Sequence, residues 1–91
     1  GKPAGSFLDG VENLVTRTSG AVGETTGIIR RLGEPVQFEP ELLAQLREAG
    51  VVPGATATMS AAGSYVIVQV DGFGDGLELP VEVASHIYVE A

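Results

Sequence analysis

The chain has 91 residues, 44% of them hydrophobic, which is enough for one compact core and no more. It contains no cysteine, which excludes disulfide bonds, thiolate metal sites and cysteine nucleophiles and fits a reducing, cytoplasmic environment. Five Lys and Arg residues against twelve Asp and Glu residues give a net charge of −7, so the chain alone is not expected to bind DNA or an anionic membrane surface.

The N-terminal segment differs in composition from the rest of the chain. Residues 1–10 are rich in glycine and contain Pro3, which predicts a linker or docking segment, and residues 11–91 are predicted to form one domain. No apolar run approaches the length of about 20 residues needed to cross a bilayer, and the N-terminus lacks the apolar region of a signal peptide. Because the chain does not begin with Met, we expect it to be a piece of a longer protein.

Two strands are predicted ahead of the first helix. Residues 11–18 place Leu14 and Val15 among polar residues, which favours a short strand. Residues 25–32 are β-branched and apolar in positions typical of a second strand. Pro35 then ends this strand because it has no backbone N–H to donate to a neighbour, and the stretch that follows it is predicted to be irregular.

The clearest local signals predict one short helix over residues 40–49. Pro40 suits the first helical position, where a backbone N–H is not needed. Three leucines at positions 42, 43 and 46 fall on one face, and Gly50 follows as the residue that ends the helix. Val51 is then placed to contact Leu46, as in a Schellman motif.

The second half of the chain is predicted to be β-structure. The predicted strands cover residues 55–61, 65–70, 77–79 and 87–89, with a single turn at 80–85. The β-branched residues on both faces of 65–70 indicate a central strand that is covered on both sides. Together these elements predict a mainly β fold, a small barrel of five to six short strands with one short α-helix.

No arrangement of residues in the sequence is typical of a catalytic site. The glycine-rich segment 72–76 has the wrong spacing for a dinucleotide-binding loop and lies between two predicted strands, so it is interpreted as a turn. His86, the only histidine, could be a base or a metal ligand, but a solvent-facing or backbone-bonded side chain is the simpler interpretation. We therefore predict that the chain is not an enzyme.

Glu34 and Gln37 form the one pair with potential chemistry. They lie three residues apart between the second strand and the helix, where both side chains could turn outward to one point. A carboxylate oxygen and an amide oxygen are hard donors that suit a divalent cation such as Fe²⁺ or Mn²⁺. The alternative is an ordinary solvated loop. Two ligands would be half a site, completed by His or carboxylate groups from elsewhere.

Two segments resemble a known domain family. Residues 46–55, with the sequence LREAGVVPGA, resemble the hallmark L-x-x-(A/L)-G-h-x-P-G of FeoA-like, SH3-like barrel domains, and the ending LELP followed by IYVE also fits. Within this group, the segment EPVQ at 34–37 ahead of an acidic helix is similar to the C-terminal domain of the diphtheria-toxin-repressor/iron-dependent-regulator family. The resemblance covers nearly the whole chain.

The resemblance implies a role for the chain in gene regulation. In that family a Glu-x-x-Gln pair reaches an ancillary metal site whose other ligands belong to the preceding dimerisation domain, which assigns Glu34 and Gln37 as ligands of Fe²⁺ or Mn²⁺. The intact protein would be a homodimeric, metal-dependent transcriptional repressor that binds operator DNA through a winged-helix domain. The present chain, monomeric by itself, would stabilise the active dimer.

Two other functions remain open from the sequence. One is a FeoA-type accessory protein of ferrous-iron transport, and the other is a generic SH3-like peptide-binding module. The chain departs from the regulator family at its linker, which reads GKPAG where the family often has G-N-P-x-P-G. It also has Ser85 where the family histidine usually stands, so no role passes to His86.

Overall fold

A computed structural model describes residues 10–74 and 76–90 of the chain. The segment 1–9, which forms most of the predicted linker, lies outside the described residues. Within them the elements are β1 (Val11–Asn13), α1 (Leu14–Ser19), β2 (Thr25–Leu32), α2 (Glu34–Gln37), α3 (Pro40–Glu48), β3 (Thr56–Ala62), β4 (Tyr65–Val70), β5 (Leu77–Pro80), α4 (Val81–Ala84) and β6 (Ile87–Glu90).

The strands form one antiparallel sheet in the order β1-β6-β2-β3-β4-β5. The long strand β2 joins the two halves, because its first part pairs with β3 and its last part pairs with β6. Short strands that share one curved sheet around a single core are typical of an SH3-like barrel. The predicted fold class is therefore confirmed.

The core is aliphatic. Its fully buried members come from nearly every element, and they include Leu14, Ile29, Leu46, Ile87 and Val89. The described phenylalanines and tyrosines are absent from this core, as expected for a chain that is only 5% aromatic. None of the described helices is long and apolar enough to cross a membrane.

The prediction of a strand over residues 11–18 is wrong beyond Asn13. The Asn13 side chain caps α1, since its Oδ1 accepts a hydrogen bond from the Thr16 backbone N–H at 2.8 Å. Leu14 and Thr18, four residues apart, are the buried residues of this helix, and the Thr18 hydroxyl donates to the Leu14 carbonyl at 2.8 Å. This capping and packing outweigh the weak helix propensity of the β-branched residues here.

The helix predicted over 40–49 is confirmed. Helix α3 ends at Glu48, and Ala49 is its C-cap. Gly50 has φ +78°, and its N–H donates to the Arg47 carbonyl at 3.0 Å. The Val51 N–H donates to the Leu46 carbonyl at 2.8 Å, which completes the predicted Schellman motif. The prediction of a single helix is wrong, because the described residues also contain α1, α2 and α4.

Strand β4 differs from its prediction on one face. It lies between β3 and β5 in the sheet, and Val66, Val68 and Val70 are buried. The opposite face is only partly covered, with Tyr65 and Gln69 exposed and Ile67 half-buried. An antiparallel sheet commonly has one face in contact with water, and β-branched residues are favoured on both faces of a strand. The β-branched composition of β4 therefore led to a prediction of more burial than its outer face has.

Candidate functional site

The candidate ligand pair lies on α2, a single helical turn where an irregular stretch was predicted. Gly33 is the N-cap of this turn and Pro35 occupies one of its first two positions, where its missing N–H breaks no helical hydrogen bond. The Gly33 N–H donates to the His86 carbonyl at 2.6 Å, and a Cβ at position 33 would lie 3.0 Å from the same oxygen. The start of α2 is therefore held against the residue that precedes β6.

Glu34 and Gln37 occupy one face of this turn. Residues three apart in a helix are neighbours on its surface, and both of these residues are exposed. The Gln37 Nε2 donates to the Leu32 carbonyl at 2.6 Å. Because only the amide nitrogen can donate, this bond leaves Oε1 as the atom that is available to a cation.

The oxygen donors of this pair suit a hard divalent cation, but two donors are too few to complete its coordination. Carboxylate and amide oxygens suit Fe²⁺ and Mn²⁺, which take more ligands than these two residues supply. Within residues 10–74 and 76–90, no group of three or more His, Cys, Asp or Glu residues could hold a metal ion. Glu34 and Gln37 could therefore supply two ligands, and water or a second domain would have to supply the others.

An apolar groove of about 270 Å³ lies on one side of α2 and α3. Pro35, Val36, Leu42 and Val83 provide its apolar walls, and His86 lines it together with Glu39 and Glu82. The His86 side chain is partly buried here, and its backbone carbonyl accepts the bond from Gly33. His86 therefore lies beside α2, although the sequence analysis assigned no role to this residue.

A second depression of about 400 Å³ contains three of the five basic residues of the chain. Arg30 and Arg31 come from β2, and Arg47 comes from the last turn of α3. The remaining lining residues are Leu32, Gln37, Leu43, Val52 and Pro53. The sequence showed these arginines as scattered, and the only signal that could have marked the site is the adjacency of positions 30 and 31.

Comparisons with known proteins agree on a domain family. The model of the FeoA domain matches residues 20–91. The chain is similar to the iron-dependent repressor IdeR of Mycobacterium tuberculosis, with 35% identity over 80 residues that cover 86% of this chain and 34% of the repressor. The Mycobacterium bovis repressor gives the same values, and the Mycobacterium leprae repressor is 37% identical over 65 residues, or 69% of this chain and 27% of the repressor. The chain therefore spans about a third of the length of these relatives.

Proposed function

This chain belongs to the FeoA domain family, and on that premise we propose that it is the C-terminal, SH3-like regulatory domain of a cytoplasmic, iron- or manganese-dependent transcriptional repressor. The observation that carries the proposal is the 35% identity to iron-dependent repressors over 86% of the chain. In this role the domain is not an enzyme. Operator DNA is bound by other parts of the same polypeptide, which forms a homodimer.

The contribution of this domain would be a pair of metal ligands. The Glu34 carboxylate and the Gln37 Oε1 would complete a site whose remaining ligands, His and Glu, belong to the dimerisation domain. What supports this assignment is their shared face on α2 and the hydrogen bond that turns the Gln37 nitrogen toward the Leu32 carbonyl. Both oxygens could coordinate a bound Fe²⁺ or Mn²⁺, whose positive charge would attract them.

Such a pair can link metal concentration to domain arrangement. A ligand shifts an equilibrium between two arrangements only through its difference in affinity for them. The site would be complete only when this domain is docked on the dimer, so metal binding would favour the docked arrangement. The bonds from Gly33 to His86 and from Gln37 to Leu32 fix α2 on the barrel, so little ordering of the turn is needed on docking.

A FeoA-type accessory protein of ferrous-iron transport is the second candidate, because the family match alone does not distinguish the two. The experiment that separates them uses the longer polypeptide that carries this domain. Its operator binding is measured against Mn²⁺ concentration, with and without residues 11–91. We expect the truncated protein to need more Mn²⁺ for half-maximal binding. An unchanged requirement contradicts the regulatory role, and no DNA binding by the longer polypeptide favours the transport accessory.

The ligand assignment can be tested on the 91-residue chain by NMR. Substoichiometric Mn²⁺ is expected to broaden the amide resonances of α2 before those of other acidic segments, because the paramagnetic ion would sit on that turn. The variant Glu34→Gln should abolish this preference. The matched control Glu39→Gln changes an exposed glutamate whose side chain forms no cap bond, and it should keep the preference. Equal broadening at all acidic segments would refute the assignment.

A further inference from the structure

The depression lined by Arg30, Arg31 and Arg47 is unusual for this surface. The chain carries a net charge of −7 with five basic residues, and three of them line one depression of about 400 Å³. The depression is therefore a local positive region on an acidic protein, and it is separate from the groove that contains His86.

A β-bulge in β2 places two consecutive arginines in this depression. Ile29 and Arg31, two residues apart, pair with two adjacent residues of β6, so Arg30 is the extra residue. The usual alternation is lost as a result: Ile29 and Leu32 are buried, whereas both arginines between them are exposed. A bulge redirects side chains in this way and recurs beside functional sites.

Neighbouring groups hold the two strand arginines in place. An oxygen of the Glu90 carboxylate lies 3.2 Å from the Arg30 Nη1, and the Arg30 side chain remains 52% exposed. The Arg31 guanidinium lies over the Tyr88 ring, 5.8 Å from its centroid, a distance that allows a cation–π contact. Both side chains are therefore partly ordered before a ligand binds, and this lowers the entropic cost of binding.

We propose that this depression is a docking site for an acidic protein segment in which carboxylates flank an apolar side chain. The guanidinium groups of Arg30, Arg31 and Arg47 would bind the carboxylates, for which their planar, forked donors are suited. The apolar part of the lining, Leu43, Val52 and Pro53, fits an aliphatic side chain better than a sugar–phosphate backbone. The net charge of −7 also disfavours a nucleic acid, which presents a long line of phosphates.

This proposal goes beyond the metal-dependent function and does not depend on it. The test uses fluorescence anisotropy of the 91-residue chain with a short labelled peptide in which Asp and Glu flank Leu. We expect saturable binding that weakens with NaCl, because exposed ion pairs are screened by salt. The double variant Arg30→Gln/Arg31→Gln should weaken binding about fivefold and Arg47→Gln about twofold, as expected for exposed ion pairs.

Two control variants separate the depression from other effects. Ala62→Glu lowers the net charge by one, as Arg47→Gln does, but at the far end of β3, about 20 Å along the strand from Thr56, and should leave binding nearly unchanged. Glu78→Ala removes one exposed negative charge from β5, three positions away from β2 in the sheet order, and should also leave binding nearly unchanged. The proposal is overturned if no binding is seen at about 1 mM peptide. It is also overturned if a peptide with Asn and Gln in place of the acids binds equally, or if labelled duplex DNA or inorganic phosphate binds more tightly.

Discussion

The ring of Phe73 lies where a side chain on Gly50 would have to stand. A Cβ added to Gly50 would be 2.6 Å from the Phe73 Cδ1, closer than carbon atoms approach in proteins. Gly50 also has φ +78°, a backbone conformation that residues with a Cβ rarely adopt. The glycine that ends α3 is therefore required twice, once by its backbone and once by the ring from the loop between β4 and β5.

Replacing Gly50 by alanine should separate these two requirements when it is compared with Gly23→Ala. Gly23 has nearly the same dihedral, φ +82°, but nothing lies within 4 Å of its added Cβ. We expect Gly50→Ala to lower the free energy of unfolding by about 1 kcal/mol more than Gly23→Ala does, because the ring must be displaced. Urea unfolding of both variants measures the difference. Equal losses would mean that Phe73 yields without cost.

A double-mutant cycle tests the contact between Gly50 and the Phe73 ring directly. In the background Phe73→Ala, Gly50→Ala should cost no more than Gly23→Ala, because the contact has been removed. If Gly50→Ala remains the more costly of the two in that background, the extra loss arises from the helix end and not from the ring.

The sequence predicted best where several local signals agree. Residues 40–50 combine an initial proline, a leucine face and a final glycine, and the structure has the helix and its Schellman bond there. Prediction failed at residues 14–19, where the β-branched residues favour a strand locally. The side-chain cap from Asn13 and the packing of Leu14 into the core together reverse that preference.

The Asn13 cap should therefore be measurable as a stability contribution. We expect Asn13→Ala to lower the free energy of unfolding by about 1 kcal/mol, because the Thr16 N–H loses its acceptor. Asn13→Asp keeps an acceptor oxygen at the same position and should retain most of the stability. Urea denaturation of the three proteins provides the comparison, and equal stability of Asn13→Ala and the parent would show that α1 does not need this cap.

The candidate site was only partly accessible from the sequence. The spacing of Glu34 and Gln37 was visible, but the helical turn that carries them was not, and its N-cap Gly33 is bound to the distant His86 carbonyl. The arginine depression was not predicted, because it depends on a β-bulge that shifts the pairing of β2 with β6. Local propensity does not specify such a shift, which arises from how two distant strands fit together.

The 91-residue chain is expected to fold without metal. The described core consists of aliphatic side chains, and the proposed ligands lie on an exposed turn outside it. Thermal unfolding followed by circular dichroism should therefore give the same Tm in EDTA and in Mn²⁺, apart from the small gain of weak binding. Loss of β-structure in EDTA would show that the fold requires a metal and would refute this expectation.

The chain alone should not bind duplex DNA at physiological salt. Its net charge of −7 opposes the approach of a polyanion, and the three arginines of the depression could neutralise no more than a few phosphates. Non-specific affinity rises with the number of phosphates that are neutralised, so a gel shift should show free DNA even at high protein concentration. Retention of any duplex at micromolar protein would contradict the charge argument.

The last prediction compares the two proposed ligands in the longer polypeptide. Glu34→Ala removes a charged oxygen donor and should raise the Mn²⁺ concentration for half-maximal operator binding more than Gln37→Ala, which removes a neutral one. Their effects on stability should have the opposite order. Glu34 is exposed, and the structure shows no hydrogen bond from its side chain within the described residues. Glu34→Ala should therefore leave the free energy of unfolding nearly unchanged.

Gln37→Ala leaves the Leu32 carbonyl without its donor and should cost about 1 kcal/mol. Unfolding of the 91-residue variants in EDTA measures this loss apart from metal binding, and the operator titration then reports the ligand role. The isosteric variant Glu34→Gln serves as a control, because it keeps the shape and one oxygen while removing the charge. If Glu34→Ala leaves the Mn²⁺ requirement unchanged in a folded protein, Glu34 is an ordinary solvated residue and the ligand assignment is wrong.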